Sequence, residues 1–274
     1  MYVDLHLHTF ASDGTWGPEE LVAAALKAKV GMVAVTDHDN IDNVAPTQKL
    51  AQEAGLEFVP GVEICATKGE AQFHILGYGI DLTNKHLWDL IHYNELIFLK
   101  QDEYGIKLLA DAGWPVSSKE FERYVYNRRR GGFPALNYLI DLGLCRDVDD
   151  FFSRIFRKTV PWEYPIFTSV SNVIDVIHEA GGIAICAHAA SGFHGPGVHN
   201  NLNILADEKL DGFECYHSGH SAEGTEILLE HCHKHGLYIS AGSDCHGDFV
   251  KPRHIGVPKV EHTQINLPDF LMNT

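Results

Sequence analysis

The stretch that decides the fold is Met1-Tyr-Val-Asp-Leu-His-Leu-His-Thr9, at the start of the chain. Apolar residues alternate with other residues along it, which predicts a half-buried strand. Side chains two apart on a strand project from the same face, so we expect His6 and His8 to point together at its carboxyl end. Two adjacent imidazoles can hold one metal ion. Because a His-x-His pair also arises by chance in a chain with 18 histidines, its meaning depends on the residues downstream.

Helical and β-prone patterns then alternate along the first 80 residues. A helix is predicted to begin at Pro18 and to stop at Gly31, before a buried strand over residues 32–36. A second helix over residues 41–54 leads to a strand over residues 57–62, and a further β-prone stretch carries His74. This order favours parallel strands joined by helical crossovers, in a barrel or an open sheet.

The pattern changes between residues 81 and 165, where helical periodicity dominates over residues 86–109, 135–142 and 148–157. We expect this segment to be a helical insertion domain that covers the active site. The two flanking parts, residues 1–80 and 166–274, are expected to form one barrel domain. Strand and helix patterns resume at Ser169, and the strands there end in His188, in His217-Ser-Gly-His220 and in Ser243-Asp-Cys-His246.

The composition favours some classes of function and excludes others. With 37 acidic and 21 basic residues the formal net charge is −16, which disfavours long nucleic acid and favours a small substrate. No run approaches the roughly 18 to 20 apolar residues of a membrane span. The start shows no secretory signal pattern, and six scattered cysteines form no Cys-x-x-Cys pair, so we expect reduced thiols and a cytoplasmic location. The sequence does not indicate an oligomeric state.

Ionisable residues recur where the predicted strands end. The active-site face of a parallel barrel is formed by the carboxyl ends of its strands, so we expect these residues to share one rim. Six imidazoles and three carboxylates are enough for two or three divalent cations such as zinc, manganese or iron. The nine candidate metal ligands are His6, His8, Asp13, His38, Glu63, His74, His188, Asp244 and His246.

The motifs His-x-His, Ser-Asp-Gly-Thr, Thr-Asp-His-Asp, Gly-x-Glu, His-x-x-Gly, Ala-His and Ser-Asp-x-His follow one another in this order. The set resembles the polymerase and histidinol phosphatase (PHP) family of metal-dependent phosphoesterases, over the barrel portions of the chain. The resemblance implies an α/β fold, a distorted (β/α)7 TIM-like barrel with a helical insertion domain, and a trinuclear metal site. It implies a first metal on His6, His8, Glu63 and Asp244, a second on Glu63, His74 and His188, and a third on Asp13, His38 and His246.

The implied activity is hydrolysis of a small phosphomonoester or nucleotide, or of a short oligonucleotide, by hydroxide that bridges two metal ions. Cations about 3.5 to 4 Å apart can activate a shared water and take up charge on the phosphoryl oxygens. His220 resembles a histidine that nucleotide-cleaving members place after a strand end. His217 competes for that role, and Asp37, beside His38, is the third candidate catalytic residue.

The overall layout resembles the small stand-alone members that act on nucleotides or short oligonucleotides. Those members carry a phosphate-gripping arginine in the insertion, whereas the matching stretch here, Phe133-Pro-Ala-Leu-Asn-Tyr138, has none, and Asn137 lies near the place. The densest positive charge is Arg128-Arg-Arg130. Arg128, Arg129, Arg130 and Asn137 are therefore the candidate substrate-binding residues.

Three other hypotheses compete with phosphoester hydrolysis. Hydrolysis of an amide or lactone on a related metal barrel would favour a lysine at a strand end, and none stands there. A non-catalytic, metal-stabilised binding domain is disfavoured, because a structural site is usually closed by four ligands. A serine or cysteine nucleophile, Ser243 or Cys245, would lie between two expected metal ligands and would need a free neighbouring base.

Overall fold

A computed structural model describes residues 1–192 and 197–272. Its central feature is one curved sheet with the strand order β7-β6-β5-β4-β3-β2-β1-β8. The strands are β1 (Tyr2–Leu7), β2 (Val30–Val35), β3 (Glu57–Lys68), β4 (Ala71–Tyr78), β5 (Ile183–Cys186), β6 (Gly212–His217), β7 (Tyr238–Gly242) and the short β8 (Val260–Glu261).

The sheet closes on itself between β1 and the chain that follows β7. The backbone N–H of Asp244 donates to the carbonyl of His6 (2.9 Å), and that of His8 donates to the carbonyl of Cys245 (2.9 Å). Gly242 lets the two strands approach, because a Cβ there would collide with the Cβ of His6. The nearly closed barrel confirms the predicted TIM-like α/β fold.

Strand β4 departs from the expected all-parallel arrangement. It pairs antiparallel with both β3 and β5, while the pairs β1–β2, β2–β3, β5–β6 and β6–β7 are parallel. Two residues, Gly69 and Glu70, join β3 to β4, and a parallel crossover needs a dozen or more. The expectation that Glu63 and His74 end their strands was therefore wrong: β3 continues to Lys68, and His74 reaches the rim because β4 runs in the opposite direction.

Helices cover the outside of the barrel and build the insertion. Helix α1 begins as predicted at Pro18, with the Glu20 carboxylate accepting from the Gly17 N–H (2.6 Å), but it ends at left-handed Lys29, and Gly31 lies inside β2. The helices are α1 (Pro18–Ala28), α2 (Val44–Glu53), α3 (Lys85–Asp111), α4 (Ser118–Phe121), α5 (Pro134–Asp141), α6 (Val148–Asp150), α7 (Val170–Glu179), α8 (Val198–Ile204), α9 (Ala222–His235) and α10 (Asp269–Met272).

Two hydrophobic cores underlie the architecture. The larger one fills the barrel and the layer between its strands and helices, and the smaller one joins α3, α4, α5 and the segment from Val148 to Trp162. Helix α3 takes part in both, with Leu87 and Ile91 in the first core and Ile106 and Leu109 in the second. The division at residues 81 and 165 stays a prediction, since one helix belongs to both packing units.

Within residues 1–192 and 197–272, none of the helices combines the length and the apolar character needed to cross a bilayer.

Candidate metal centre and active-site cavity

All nine predicted metal ligands converge at one mouth of the barrel, and we call these nine residues the metal rim. Strand β1 carries His6, and His8 and Asp13 follow it. The loop after β2 carries His38, Glu63 and His74 lie on β3 and β4, and His188, Asp244 and His246 follow β5 and β7. Their ligand atoms form groups in which every atom lies within 4.8 Å of the others.

The first group consists of His6, His8, Glu63 and Asp244, all buried. The Nε2 atoms of His6 and His8 lie 3.0 and 3.2 Å from Glu63 Oε2. His8 Nε2 is also 3.2 Å from Asp244 Oδ1. Two imidazole nitrogens and two carboxylates thus face one point, as expected for a first metal.

The second group consists of Glu63, His74 and His188. The other carboxylate oxygen of Glu63, Oε1, lies 3.0 Å from His74 Nδ1 and 3.0 Å from His188 Nε2. Because its two oxygens face different groups, Glu63 has the position of a bridging carboxylate.

The third group consists of Asp13, His38 and His246 and also takes in His8. His246 Nε2 lies 3.2 Å from Asp13 Oδ2, and His8 Nδ1 lies 3.5 Å from Asp13 Oδ1. The two ring nitrogens of His8 therefore face two different groups, which its predicted role in the first metal alone did not include.

The residues present fit divalent cations. Both ring nitrogens of His8 and the Nδ1 atom of His38 lie 3.2–3.5 Å from carboxylate oxygens without making a well-directed hydrogen bond among the described residues. A buried polar atom without a partner costs free energy unless something binds it. Imidazole nitrogens beside carboxylate oxygens are the donor set that zinc, manganese and iron accept.

Charge pairing holds the rim together electrostatically. Burial alone would raise the pKa of Glu63, but His6, His38 and His74 around it hold that pKa well below its usual value. Burial likewise opposes ionisation of Asp244, and His6 and Arg253 hold its pKa well below the usual range. These carboxylates are therefore anionic and ready to bind cations.

The backbone at two of the predicted ligands is strained into the left-handed region. His188 has φ 32° and Asp244 has φ 56°, which non-glycine residues seldom adopt. Such strain is concentrated at functional sites, because the surrounding structure must hold it.

Glu214, which the sequence analysis missed, orients two ligands. Its Oε1 lies 3.0 Å from His6 Nδ1, and its Oε2 accepts from the His188 backbone N–H (2.8 Å). The contact leaves His6 Nε2 directed at the first group. His246 is oriented in the same way, since its Nδ1 donates to the Asp244 carbonyl (2.8 Å). Such contacts fix the tautomer of a ligating histidine.

Asp37 lies beneath the rim and holds the loop after β1. Its carboxylate accepts from the Thr9 N–H (2.7 Å), from Thr9 Oγ1 (2.6 Å) and from the Ser12 hydroxyl. Through these hydrogen bonds the Asp37 carboxylate positions the segment that carries Asp13.

His217 and His220 are likewise engaged with neighbouring groups. His217 accepts from the Gly219 N–H at Nδ1 (2.9 Å), which leaves Nε2–H to face Asp244 Oδ2 at 3.3 Å. His220 accepts from the Ala190 N–H at Nε2 (3.2 Å), so its Nδ1–H faces the Cys215 carbonyl at 3.1 Å. Burial lowers the pKa of His220.

A cavity of about 480 Å³ opens above the metal rim. One wall carries Asp13, His38, His74, His188, Asp244 and His246. Aromatic side chains of the insertion also line the cavity, and we call them the aromatic wall: Phe98, Tyr126, Phe133, Phe152 and Tyr164.

The predicted substrate-binding residues are directed to different places. Arg128 lines the cavity and donates to the Ala11 carbonyl (3.0 Å). Arg129 turns to Glu20 (2.7 Å) and Arg130 to Asp141 (2.8 Å). Asn137 is buried and donates to the Gly131 carbonyl (2.8 Å), so it supports the loop rather than the cavity.

Arg253 is a second cavity arginine that the sequence analysis did not single out. It lines the cavity and pairs with the Asp244 carboxylate. Its position, nine residues after Asp244 in an irregular segment, gave no strand or helix signal.

Comparisons with known proteins agree with this geometry. The PHP domain model matches residues 4–128. The chain is 29% identical over 257 residues to the 5'-3' exoribonuclease Rnm of Escherichia coli, covering 89% of this chain and 84% of that protein. It is 26% identical over 273 residues to the 3',5'-nucleoside bisphosphate phosphatase of Chromobacterium violaceum, covering 93% of this chain and 90% of that protein.

A solved structure from Bifidobacterium adolescentis, inferred to be a metal-dependent phosphoesterase, superposes with a TM-score of 0.82 at 26% identity, covering 95% of this chain and 93% of that one. The fold and the rim define a metal-dependent hydrolase of phosphoric esters. Residues 4–128 of the chain match the PHP domain, and along most of its length the chain is similar to the phosphatase and the phosphoesterase named above.

Proposed function

We propose that this phosphoesterase hydrolyses the ester bond of a terminal phosphate on a nucleotide, with three divalent cations bound by the metal rim. The observation that supports it most is the cavity, whose lining combines six of the nine residues of the metal rim with aromatic side chains of the insertion. Manganese, zinc and iron all suit these donors. The proposed sites are those of the three groups, with Glu63 shared by the first and second and His8 facing the first and third.

When bound, such ions would activate water and stabilise negative charge on phosphoryl oxygens. The side chains of this protein supply the remaining functions. Arg128 and Arg253 line the cavity, and we assign them to the substrate phosphate, since guanidinium groups bind phosphate oxygens in bidentate geometry. Arg253, from the segment after β7, would take the place of the missing insertion arginine.

The aromatic wall supports a nucleotide rather than a sugar phosphate. Phe98 and Phe133 meet edge to face at 5.8 Å between ring centroids, and Phe152 packs beside Phe133 at 6.4 Å. Rings arranged in this way offer faces and edges on which a base can stack. In this proposal residues 81–165 form the cover that binds the base while the barrel binds the phosphate.

We assign Asp37, His217 and His220 to positioning rather than to proton transfer. The polar atoms of each side chain are engaged in hydrogen bonds with neighbouring protein groups. Asp37 bonds to Thr9, His217 to Asp244, and His220 to two backbone groups. His217 would fix one oxygen of Asp244 so that the other faces the first group.

The relatives and the thiols support the remaining parts of the proposal. One relative is named for a nucleoside bisphosphate and another for RNA, so nucleotides and short oligonucleotides are the substrates to compare. All six cysteines are free thiols, which supports a cytoplasmic location.

The test is a substrate panel with metal-loaded protein, with and without chelator. Nucleoside monophosphates, 3',5'-bisphosphates, 5'-phosphorylated short RNA, ribose 5-phosphate and an amide are compared by phosphate or product release. Metal-dependent turnover of nucleotides well above ribose 5-phosphate is expected. Turnover of the amide alone would overturn the proposal.

A variant tests the aromatic wall separately. Base stacking is worth about 1–3 kcal/mol, so Phe152→Ala should lower kcat/KM for nucleotides at least about fivefold and leave ribose 5-phosphate unchanged. Tyr93→Ala, an exposed aromatic on α3, is the matched control and should change neither. An equal loss on both substrates in the Phe152 variant would show that the aromatic wall does not bind the base.

A further inference from the structure

A cysteine lies at the edge of the metal rim and belongs to none of the three groups described above. Cys65 follows Glu63 by two residues on β3, so both side chains leave the same face of the strand. Across the ladder Cys65 is paired directly with His74. The residue is buried but lines the cavity, so an ion that enters the cavity can reach its thiol.

The backbone of Cys65 is fixed, and its thiol is hydrogen-bonded to the Asp39 carboxylate. The Cys65 carbonyl accepts from Asn94 Nδ2 (2.8 Å), and its N–H donates to Asp39 Oδ2 (3.4 Å). The sulfur therefore starts from a defined place beside His38 and His74.

The Sγ atom of Cys65 and one ring nitrogen each of His38 and His74 lie within 4.8 Å of one another. Ligands of a tetrahedral zinc ion, bound at about 2.0–2.3 Å, lie roughly 3.5 Å apart, so small side-chain rotations would close the trio around one ion. We propose that His38, Cys65 and His74 form an inhibitory site for a soft divalent cation, zinc or cadmium.

Inhibition follows from shared ligands. His38 belongs to the third group of the metal rim and His74 to the second. A cation held by the trio would take one ligand from each, so it excludes full loading of the metal rim. The inhibitory part of the inference thus rests on the proposed function of that rim.

The thiol makes the site selective. Thiolate is a soft ligand that favours zinc and cadmium, whereas manganese favours oxygen and nitrogen. Binding exchanges the thiol proton for the ion: the S–H bond breaks, an S–metal bond forms and the proton passes to the buffer, with no change of oxidation state. Manganese is expected to activate the enzyme, and excess zinc or cadmium to inhibit it.

The direct test is a cadmium titration of the manganese-loaded protein, followed by the ultraviolet charge-transfer absorption of the cadmium–thiolate bond. The wild type should develop this absorption, and Cys65→Ser should lose it. Cys145→Ser, which removes a thiol from the core of the insertion, is the matched control and should keep it. No absorption in the wild type, or an unchanged one in Cys65→Ser, would overturn the site.

Inhibition is measured on the same proteins. Cys65→Ser should retain manganese-supported turnover and need at least about tenfold more cadmium for half inhibition, since weaker perturbations of metal sites already cost about that much in affinity. Equal sensitivity in the variant and the wild type would overturn the inhibitory role. The absorption titration needs no substrate, so it remains decisive even if the nucleotide panel fails.

Discussion

The metal rim and the helical insertion border the same cavity, but the pKa values of their buried carboxylates are shifted in opposite directions. On the rim, Glu63 and Asp244 are surrounded by histidines, and their pKa values lie well below the usual range despite burial. In the insertion, buried Asp102 accepts one backbone N–H, from Ala135 (2.9 Å), and burial raises its pKa to about 7. The rim sets its carboxylates among histidines and an arginine, whereas Asp102 is buried with no cationic side chain beside it among the described residues.

The largest effect is expected from removing a ligand of the rim. Asp244→Asn or His8→Ala should reduce metal-dependent phosphate release by at least about 100-fold, because even contacts that only orient ligands are worth about 10–100-fold. His8 faces two groups, so its loss should also lower the number of bound ions in a metal analysis.

The matched control for these variants is Asp89→Asn, an exposed carboxylate on α3 that pairs with Lys85. It should keep the wild-type rate and metal content. A full rate in either rim variant would contradict the assignment of the first group.

A smaller effect, on metal affinity, is expected from changing Glu214, which contacts two residues of the rim. In Glu214→Gln the amide nitrogen would face either the His188 N–H or the His6 ring, and one contact would be lost. Metal affinity should fall about 10–100-fold, and excess metal should restore turnover. Competition with a chromogenic chelator measures this, and an unchanged affinity would show that Glu214 does not orient the ligands.

The sequence predicted that the nine residues share one mouth of the barrel, and their positions agree with this, because most of them follow the carboxyl end of a parallel strand. Their roles as metal ligands stay a prediction. The sequence could not predict the direction of β4, which depends on a two-residue turn at Gly69 and Glu70. Yet the prediction for His74 reached the right place, since an antiparallel strand brings its first half to the same rim.

The insertion shows where sequence reasoning ends. The helix predicted over residues 86–109 is found as Lys85–Asp111. The sequence could not show which of the three arginines at 128–130 lines the cavity. They are consecutive residues of a short 3₁₀ turn, so their side chains point in different directions. Glu214 did leave a signal, namely a charged residue inside an otherwise apolar strand.

A moderate effect on substrate binding distinguishes the arginines. Charged hydrogen bonds contribute about 1.5–3 kcal/mol, so Arg253→Ala should raise KM for a nucleotide about tenfold or more. Arg130→Ala should leave it unchanged, because that side chain pairs with Asp141 instead. If Arg253 acts through Asp244 alone, metal affinity will change while KM does not, and the two readouts separate these roles.

The smallest effect on turnover, and the sharpest contrast with the rim, is expected from Asp102→Asn. Burial is the main cause of the raised pKa of Asp102, with the neighbouring Glu103 raising it further and the Ala135 N–H lowering it. Since its folded-state pKa of about 7 exceeds the unfolded value of about 3.9, its contribution to stability is complete below about pH 4 and is lost as the pH rises to about 7.

Asparagine keeps an oxygen for the Ala135 N–H but does not ionise, so the variant should lack this pH-dependent loss. At pH 8 it should be more stable than the wild type by about 1–4 kcal/mol, and at pH 4 the two should be similar. Urea unfolding at several pH values, followed by tryptophan fluorescence, measures the difference, with Asp111→Asn at the exposed end of α3 as control. Parallel pH profiles for wild type and Asp102→Asn would mean that the charge of Asp102 is compensated in the folded protein, and the contrast between insertion and rim would fail at this residue.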